Sequence, residues 1–299
     1  MSSFQFKLLK SYFHLQRLFT RSGRKLDVTR ERAELDSLGS MFKPLARIEC
    51  TKEVANGVPA EWLIPTGASS SRVVLYLHGG SYVAGSIVSH RSLAANIAHA
   101  ARARALIIDY RLAPENPYPA AIQDSVSAYR WLMDNQVTPD QITIAGDSAG
   151  GGLALALVLS LRDGNLPLPA AVVCLSPWTD LAATGESWKT KVDVDLVIDT
   201  RMESEFARMY LGDVDPRSPL ASPLYANFKG LPPLLIQVGT DGVLLSDSSR
   251  LADRARTAGV DVTYEEWEGM QHVWQFAASF IPEGRQAIAV IGDFIQKYT

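Results

Sequence analysis

From residue 73 onward, short apolar runs alternate with longer stretches of helical pattern. The runs are Val73–Leu77, Ala105–Tyr110, Ile142–Ala145, Ala171–Leu175, Leu234–Val238 and Val262–Trp267. Most are rich in β-branched residues and nearly continuous in apolar character, which predicts strands buried on both faces of a parallel sheet. Helical patterns lie between them, notably over Ala120–Asp134, Ala149–Arg162 and Ser246–Thr257. Upstream, Ala46–Val54 and Ala60–Ile64 flank Asn56-Gly57. Both residues of that pair tolerate positive φ, so the spacing predicts an antiparallel hairpin, with Pro59 blurring the start of its second strand. The sum is eight strands, mainly parallel, with helices on both faces.

Two stretches fall outside this alternation. Residues 1–44 read as amphipathic helix, with Phe4, Phe6, Leu8, Leu9, Tyr12, Phe13, Leu15, Leu18 and Phe19 set among basic residues. That is more aromatic surface than a free-standing helix tolerates, so the segment is expected to cover something. Either plain packing or a cover over a substrate fits. The interval 177–230 holds Trp178, Trp188, several aspartates and a helical piece near Met202–Tyr210, but no clear sheet strand. It is too long for a simple connection and is expected to be a lid or cap. With no internal repeat or low-complexity linker, the expected organisation is a helical lid segment over 1–44 and one catalytic domain over 45–299, with a lid insertion at 177–230.

Composition narrows the setting. The chain has 299 residues, 47% hydrophobic and 20% charged, which is ordinary for a globular protein. A net charge of −3 gives no overall electrostatic reason to expect nucleic acid or an anionic membrane as partner. Cys50 and Cys174 allow at most one disulfide. The second lies in an apolar run where a free buried thiol is expected, which fits a reducing, cytoplasmic compartment. The apolar N-terminus is interrupted by Gln5, Lys7, Lys10 and Gln16, so no signal peptide is expected, and no run is long enough to span a bilayer.

The chemistry gathers at Ile142-Thr143-Ile144-Ala145-Gly146-Asp147-Ser148-Ala149-Gly150-Gly151-Gly152. An apolar strand stops at a glycine, a serine stands among small residues, and a long Ala/Leu helix begins at once. Gly146-x-Ser148-x-Gly150 in that context is the nucleophile-elbow pattern of a strand–turn–helix. A phosphate-binding loop fits less well, since no lysine follows the glycines and Asp147 repels an anion. The elbow also leaves the Ala149 N–H at a helix N-terminus, where an oxyanion is stabilised. A hairpin first and a nucleophile after the fifth strand is the α/β-hydrolase plan, which places an acid and then a histidine downstream of the serine.

Of five histidines, His14, His78, His90, His99 and His272, only the last follows Ser148, in a loop after the final strand. It is the expected general base. Asp241, just past the run Leu234–Val238, is the expected acid; Asp247 is the rival, read as a helix-start or surface carboxylate. A buried carboxylate partner is expected to raise the histidine pKa. The loop His78-Gly79-Gly80-Ser81-Tyr82 follows the first run, where glycine N–H groups face a developing oxyanion. His78 itself is expected to organise that loop.

Three segments, His78-Gly79-Gly80-Ser81, Tyr110-Arg111-Leu112-Ala113-Pro114-Glu115 and Gly146-Asp147-Ser148-Ala149-Gly150-Gly151, together resemble the bacterial branch of the hormone-sensitive lipase family, over roughly residues 70–299. The resemblance implies an α/β-hydrolase fold, hydrolysis of short- to medium-chain carboxylic esters, and a lid built from the N-terminal helices and the insertion. It implies a Ser148–His272–Asp241 triad, an oxyanion hole formed by Gly79, Gly80, Ser81 and Ala149 with the last three as its usual donors, no metal or organic cofactor, and pairing of two copies through an edge strand. Serine stands at position 81 where glycine is frequent, and glycine at 242 where proline or an acid is frequent. A non-catalytic binding protein on the same fold lacks part of the triad, whereas His272 is present. An amidase or peptidase stays open, because a triad does not itself choose the leaving group.

Overall fold

The protein was analysed as a computed structural model that describes residues 2–20 and 26–299, the side chains of residues 16–20 excepted. The apolar positions Leu18 and Phe19 therefore lie outside the described side chains. The chain opens with two helices, α1 (Phe4–Thr20) and α2 (Val28–Met41). Asp27 caps the second by accepting the Arg30 N–H at 3.2 Å. Next come the hairpin strands β1 (Ile48–Ala55) and β2 (Val58–Pro65), closed at Asn56 and Gly57 with φ of 49° and 88°. Pro59 sits inside β2 opposite Val54, and its carbonyl accepts from Asp109 N at 2.8 Å.

The alternating part follows as β3 (Val73–Leu77), α3 (Ile87–Ala100), β4 (Arg104–Ile108), α4 (Ala120–Asp134), β5 (Ile142–Asp147), α5 (Ala149–Asp163) and β6 (Ala171–Leu175). After β6 the chain makes the short helix α6 (Ser187–Thr190) and the longer α7 (Thr200–Leu211). It then returns through β7 (Leu234–Gly239), α8 (Leu245–Thr257), β8 (Val262–Trp267) and the closing helix α9 (Pro282–Tyr298). The eight strands form one sheet in the order β1-β2-β4-β3-β5-β6-β7-β8. Pairing is antiparallel at β1–β2 and β2–β4 and parallel elsewhere.

Strand periodicity divides the core. Leu75, Leu77, Leu106, Ile108, Ile142, Ile144, Val172, Cys174 and Ile236 face one side, where buried residues of α4, α5 and α8 complete a large cluster. Their neighbours Val74, Tyr76, Ala105, Ile107, Ala145, Val173, Leu175 and Leu235 face the other, under α3 and α9. Burial on both faces is why these runs read as nearly unbroken apolar sequence. Cys174 is a buried free thiol and Cys50 an exposed one, as the composition implies. Among the described residues no helix is long and apolar enough to cross a membrane.

Helix α1 packs at the end of edge strand β8, whose Trp267 lies against the cluster that the helix joins. Its Phe6, only 2% exposed, joins Met270, Trp274, Ala277, Ile281 and Ala287 in a third cluster, with Leu9 and Phe42 at its margin. The N-terminal helix therefore covers the loop that carries His272. Helix α2 lies against α3: a Cβ on Gly39 would stand 2.0 Å from the Ser89 carbonyl oxygen, so only glycine permits this approach.

Candidate active site

Ser148 stands between β5 and α5 at φ 53° and ψ −122°, a conformation that costs a non-glycine residue about 1–3 kcal/mol. The surroundings hold it there. Its N–H donates to Leu175 O at 2.8 Å, and its carbonyl accepts from Gly151 N at 3.0 Å and Trp178 N at 2.9 Å. A Cβ on Gly150 would lie 2.1 Å from Leu77 O, so the small residues of the motif let α5 start directly against β3. The serine is 8% exposed.

The loop after β3 curls through three consecutive positive φ values, 109° at Gly80, 56° at Ser81 and 62° at Tyr82. Among the described residues, the N–H groups of Gly80, Ser81 and Ala149 donate to no protein acceptor. Gly79 departs from the expectation that it faces the oxyanion. Its N–H donates to Asp147 Oδ1 at 3.2 Å and lies 3.2 Å from His90 Nε2, so it braces the loop.

Asp147 itself is buried. It accepts the Tyr76 hydroxyl at 2.7 Å, and its Oδ2 is 3.3 Å from His90 Nε2. Burial pushes this carboxyl up, but the charge and hydrogen bond of His90 and the Tyr76 hydroxyl together hold it below the usual aspartate range. His78 stacks on Tyr110, with centroids 4.2 Å apart, and its Nδ1 is 2.7 Å from Gly79 O. Burial and the neighbouring His90 drive its pKa down to about 3. A histidine kept neutral in this way organises the loop, as the sequence suggested.

The loops of Asp241 and His272 are laced to each other and to the loop after β6. Asp241 N donates to Met270 O at 3.1 Å, Gly269 N to Thr240 Oγ1 at 2.8 Å, and Val273 N to Ser176 Oγ at 3.4 Å. His272 is half-buried, and its Nδ1, shielded from solvent, makes no hydrogen bond among the described residues. The Asp241 carboxylate instead meets Lys10 of α1, with Oδ2 at 2.7 Å from Nζ and 3.4 Å from Gln271 Nε2. The structure thus brings the two loops together without an Asp241–His272 hydrogen bond.

The imidazole pKa is lowered, contrary to the sequence expectation. Desolvation disfavours the cation by more than the anions Asp195 and Asp147 favour it. Asp247 stands at a helix start, as read, but it is not a surface group. It lies in the first turn of α8 but is fully buried, accepting from Thr179 N at 3.0 Å and Asp180 N at 2.9 Å. Burial and the charge of Asp180 raise it to about 7, so it locks the start of the insertion onto α8.

Sequence patterns missed several groups because they arrive from distant elements. Arg32 of α2 donates Nε to Val83 O at 2.8 Å and Nη2 to Ala113 O at 2.9 Å, tying α2 to the end of the oxyanion loop. Tyr210 of α7 stacks flat on Tyr82, with centroids 3.8 Å apart and planes 6° apart. Glu203, two turns earlier on the same helix, faces the Ser81 hydroxyl, and burial raises its carboxyl to about 7.

A family model described as alpha/beta hydrolase fold matches residues 74–276. An acetyl-hydrolase of Streptomyces hygroscopicus is 49% identical over 240 residues, 80% of each chain. A crystal structure of an esterase from the bacterial hormone-sensitive lipase family superposes with a TM-score of 0.94 at 45% identity, covering 100% of this chain and 99% of that one. The esterase EstE5, in crystals soaked with p-nitrophenyl butyrate, gives a TM-score of 0.95 at 41% identity over 99% of both chains.

Arg32 provides a test of how far the site depends on the N-terminal helices. Its pair with Glu115 is largely exposed and contributes little, so its value lies in the two carbonyl bonds. Arg32→Met is expected to lower stability by about 1–3 kcal/mol and to slow fluorophosphonate labelling of Ser148 about tenfold. Thermal unfolding and the labelling rate check this; unchanged labelling would show the oxyanion loop to be held without α2.

Proposed function

The chain belongs to the bacterial hormone-sensitive lipase family of α/β-hydrolases and is a carboxylic-ester hydrolase, and we propose that it cleaves short- to medium-chain esters through an acyl-enzyme on Ser148. The observation that carries this reading is the strained serine of the elbow together with three N–H groups, of Gly80, Ser81 and Ala149, that have no protein acceptor among the described residues. Such donors are pre-aimed at charge that appears only in the transition state.

In this mechanism Ser148 Oγ attacks the ester carbonyl while His272 Nε2 takes its proton. The oxyanion forms against the three N–H groups. Collapse breaks the ester C–O bond, and the imidazolium passes its proton to the departing alkoxide. Water then attacks the acyl-enzyme with His272 again as base, and the carboxylic acid leaves with Ser148 restored. Asp241 supports the imidazolium. Lys10 and Gln271 both engage Oδ2, which leaves Oδ1 for His272 Nδ1. No step calls for a metal or an organic cofactor.

The helices of residues 1–44 and the insertion 177–230 act as the lid over the ester. Support comes from both sides of the site, with α1 on the His272 loop and α7 on Tyr82. Free Cys50 and Cys174 suit a reducing cytoplasm, and edge strand β8 is the surface on which a second copy would pair.

A fluorophosphonate should modify Ser148 alone, as read by intact mass and peptide mapping. Ser148→Ala should lower kcat roughly 10³-fold or more, leaving the smaller contribution of the oxyanion hole and binding. Labelling elsewhere with Ser148 untouched would remove the assignment. The pH profile follows from the lowered imidazole pKa: His272 must be neutral to accept the proton, and burial keeps it neutral further into acid. The acid limb of kcat/KM should therefore inflect below the ordinary histidine value of about 6.5. An inflection above that value would mean that the carboxylates outweigh burial.

A further inference from the structure

Between α6 and α7 the chain crosses the mouth of both catalytic loops, and Asp195 sits at the crossing. Its side chain is fully buried. Oδ1 accepts from Val197 N and Ile198 N, each at 2.9 Å, and Oδ2 accepts from Val243 N at 2.9 Å. Three N–H groups aimed at two oxygens fit a carboxylate, which only accepts. Val243 lies two residues after Asp241. On the other side, Leu196 N donates to Gln271 Oε1 at 2.7 Å, and Gln271 Nε2 donates to Val194 O at 3.2 Å. The residues flanking Asp195 are thus bonded to the residue that precedes His272, while Asp195 itself is bonded to the loop of Asp241.

The base needs such a support. Among the described residues His272 Nδ1, shielded from solvent, has no hydrogen bond, and Asp241 shares its carboxylate with Lys10. Of the anions that act on the imidazole, Asp195 has the larger effect and Asp147 the smaller. An anion in a water-poor interior acts on a nearby cation more strongly than one in solvent. The other charged groups around this pair are Asp241 with its Lys10 cation from α1, and Glu203 on α7.

We propose that Asp195 is a positioning residue of the catalytic machinery: it fixes the Asp241 loop against the His272 loop and places a second buried anion beside the imidazolium formed during acyl transfer. The proposal rests on the assignment of Ser148 and His272 above. Asp195 acts through the histidine and touches neither the ester nor the serine. It makes the insertion part of the catalytic geometry as well as a cover.

The test compares Asp195→Asn and Asp195→Glu in the full chain, with p-nitrophenyl butyrate as substrate. Asparagine keeps the size and one accepting oxygen, but it loses the charge and turns an N–H group toward Val243 N. Asp195→Asn is expected to lower kcat tenfold or more with KM changed less than twofold, and to move the acid limb of kcat/KM to lower pH. Asp195→Glu, which keeps the anion, is expected to return the limb to its wild-type position even where kcat stays reduced. An Asp195→Asn enzyme with an unmoved limb would overturn the proposal, because a purely structural role lowers the rate without shifting the titration of His272. If Asp195→Asn does not fold, Gln271→Leu serves instead, since it removes the two bonds that seat residues 194 and 196 along with the longer 3.4 Å contact to Asp241 Oδ2. The same downward shift is expected, and an unmoved limb again overturns the idea. Ser148→Ala separates the two readings. If it stays fully active, the nucleophile assignment fails; if it is inactive while the Asp195→Asn limb stays put, only the role of Asp195 fails.

Discussion

Asp147 is the constraint on which the site depends. A carboxylate with almost no solvent exposure costs several kcal/mol unless its oxygens are satisfied, and its partners come from separate parts of the chain. Tyr76 belongs to β3, Gly79 to the loop beyond it, and His90 to α3, while Asp147 itself closes β5. Satisfying one carboxylate therefore sets the loop after β3 in register with the turn that carries Ser148. It also decides which amides are available. The Gly79 N–H is consumed by the brace, and the positive φ values that follow turn the next two amides free of the chain. The strain at Ser148 persists for the same reason, since its flanking residues are fixed on both sides.

Around this centre the outer elements are attached by a few long-range polar contacts. Arg32 bonds α2 to the oxyanion loop, Lys10 brings α1 to Asp241, and Asp247 clamps the start of the insertion to α8. The stacked pair Tyr82–Tyr210 joins α7 to the residue after Ser81. The outer helices and the loops around Ser148 are consequently one mechanical unit. A change in how the helices dock reaches Asp241, the His272 loop and the Gly79–Tyr82 loop through named bonds.

Much of this was legible in the amino-acid sequence, and the reason is local. Val73–Leu77, Ala171–Leu175 and Val262–Trp267 form strands at the bounds read from the apolar runs, and Asn56-Gly57 closes its hairpin, because these signals are carried by neighbouring residues. Ala105–Tyr110 ends earlier, at Ile108, while the strand read as Ile142–Ala145 continues to Asp147, the residue that anchors the site. The elbow was readable from small residues at fixed spacing. Arg32, Lys10 and Asp195 were not, since nothing nearby in sequence records that a residue will meet a partner far along the chain. The shift of His272 was misjudged for a related reason. A carboxylate partner is visible in a motif, but the depth of burial that outweighs it is a property of the packed structure. Gly79 and Asp247 show the same limit, because a spent N–H and a buried carboxylate appear only once distant segments meet.

The central claim is that the N–H groups of Gly80, Ser81 and Ala149 are the ones left free to receive the oxyanion, with Gly79 held back by Asp147. A crystal structure of the Ser148 adduct with a methylphosphonate ester tests it directly, because the phosphonyl oxygen marks where the oxyanion forms. The account places that oxygen about 2.7–3.1 Å from the amide nitrogens of Gly80, Ser81 and Ala149, with the Gly79–Asp147 bond intact. A phosphonyl oxygen bonded to Gly79 N, with the Asp147 bond broken, would contradict it.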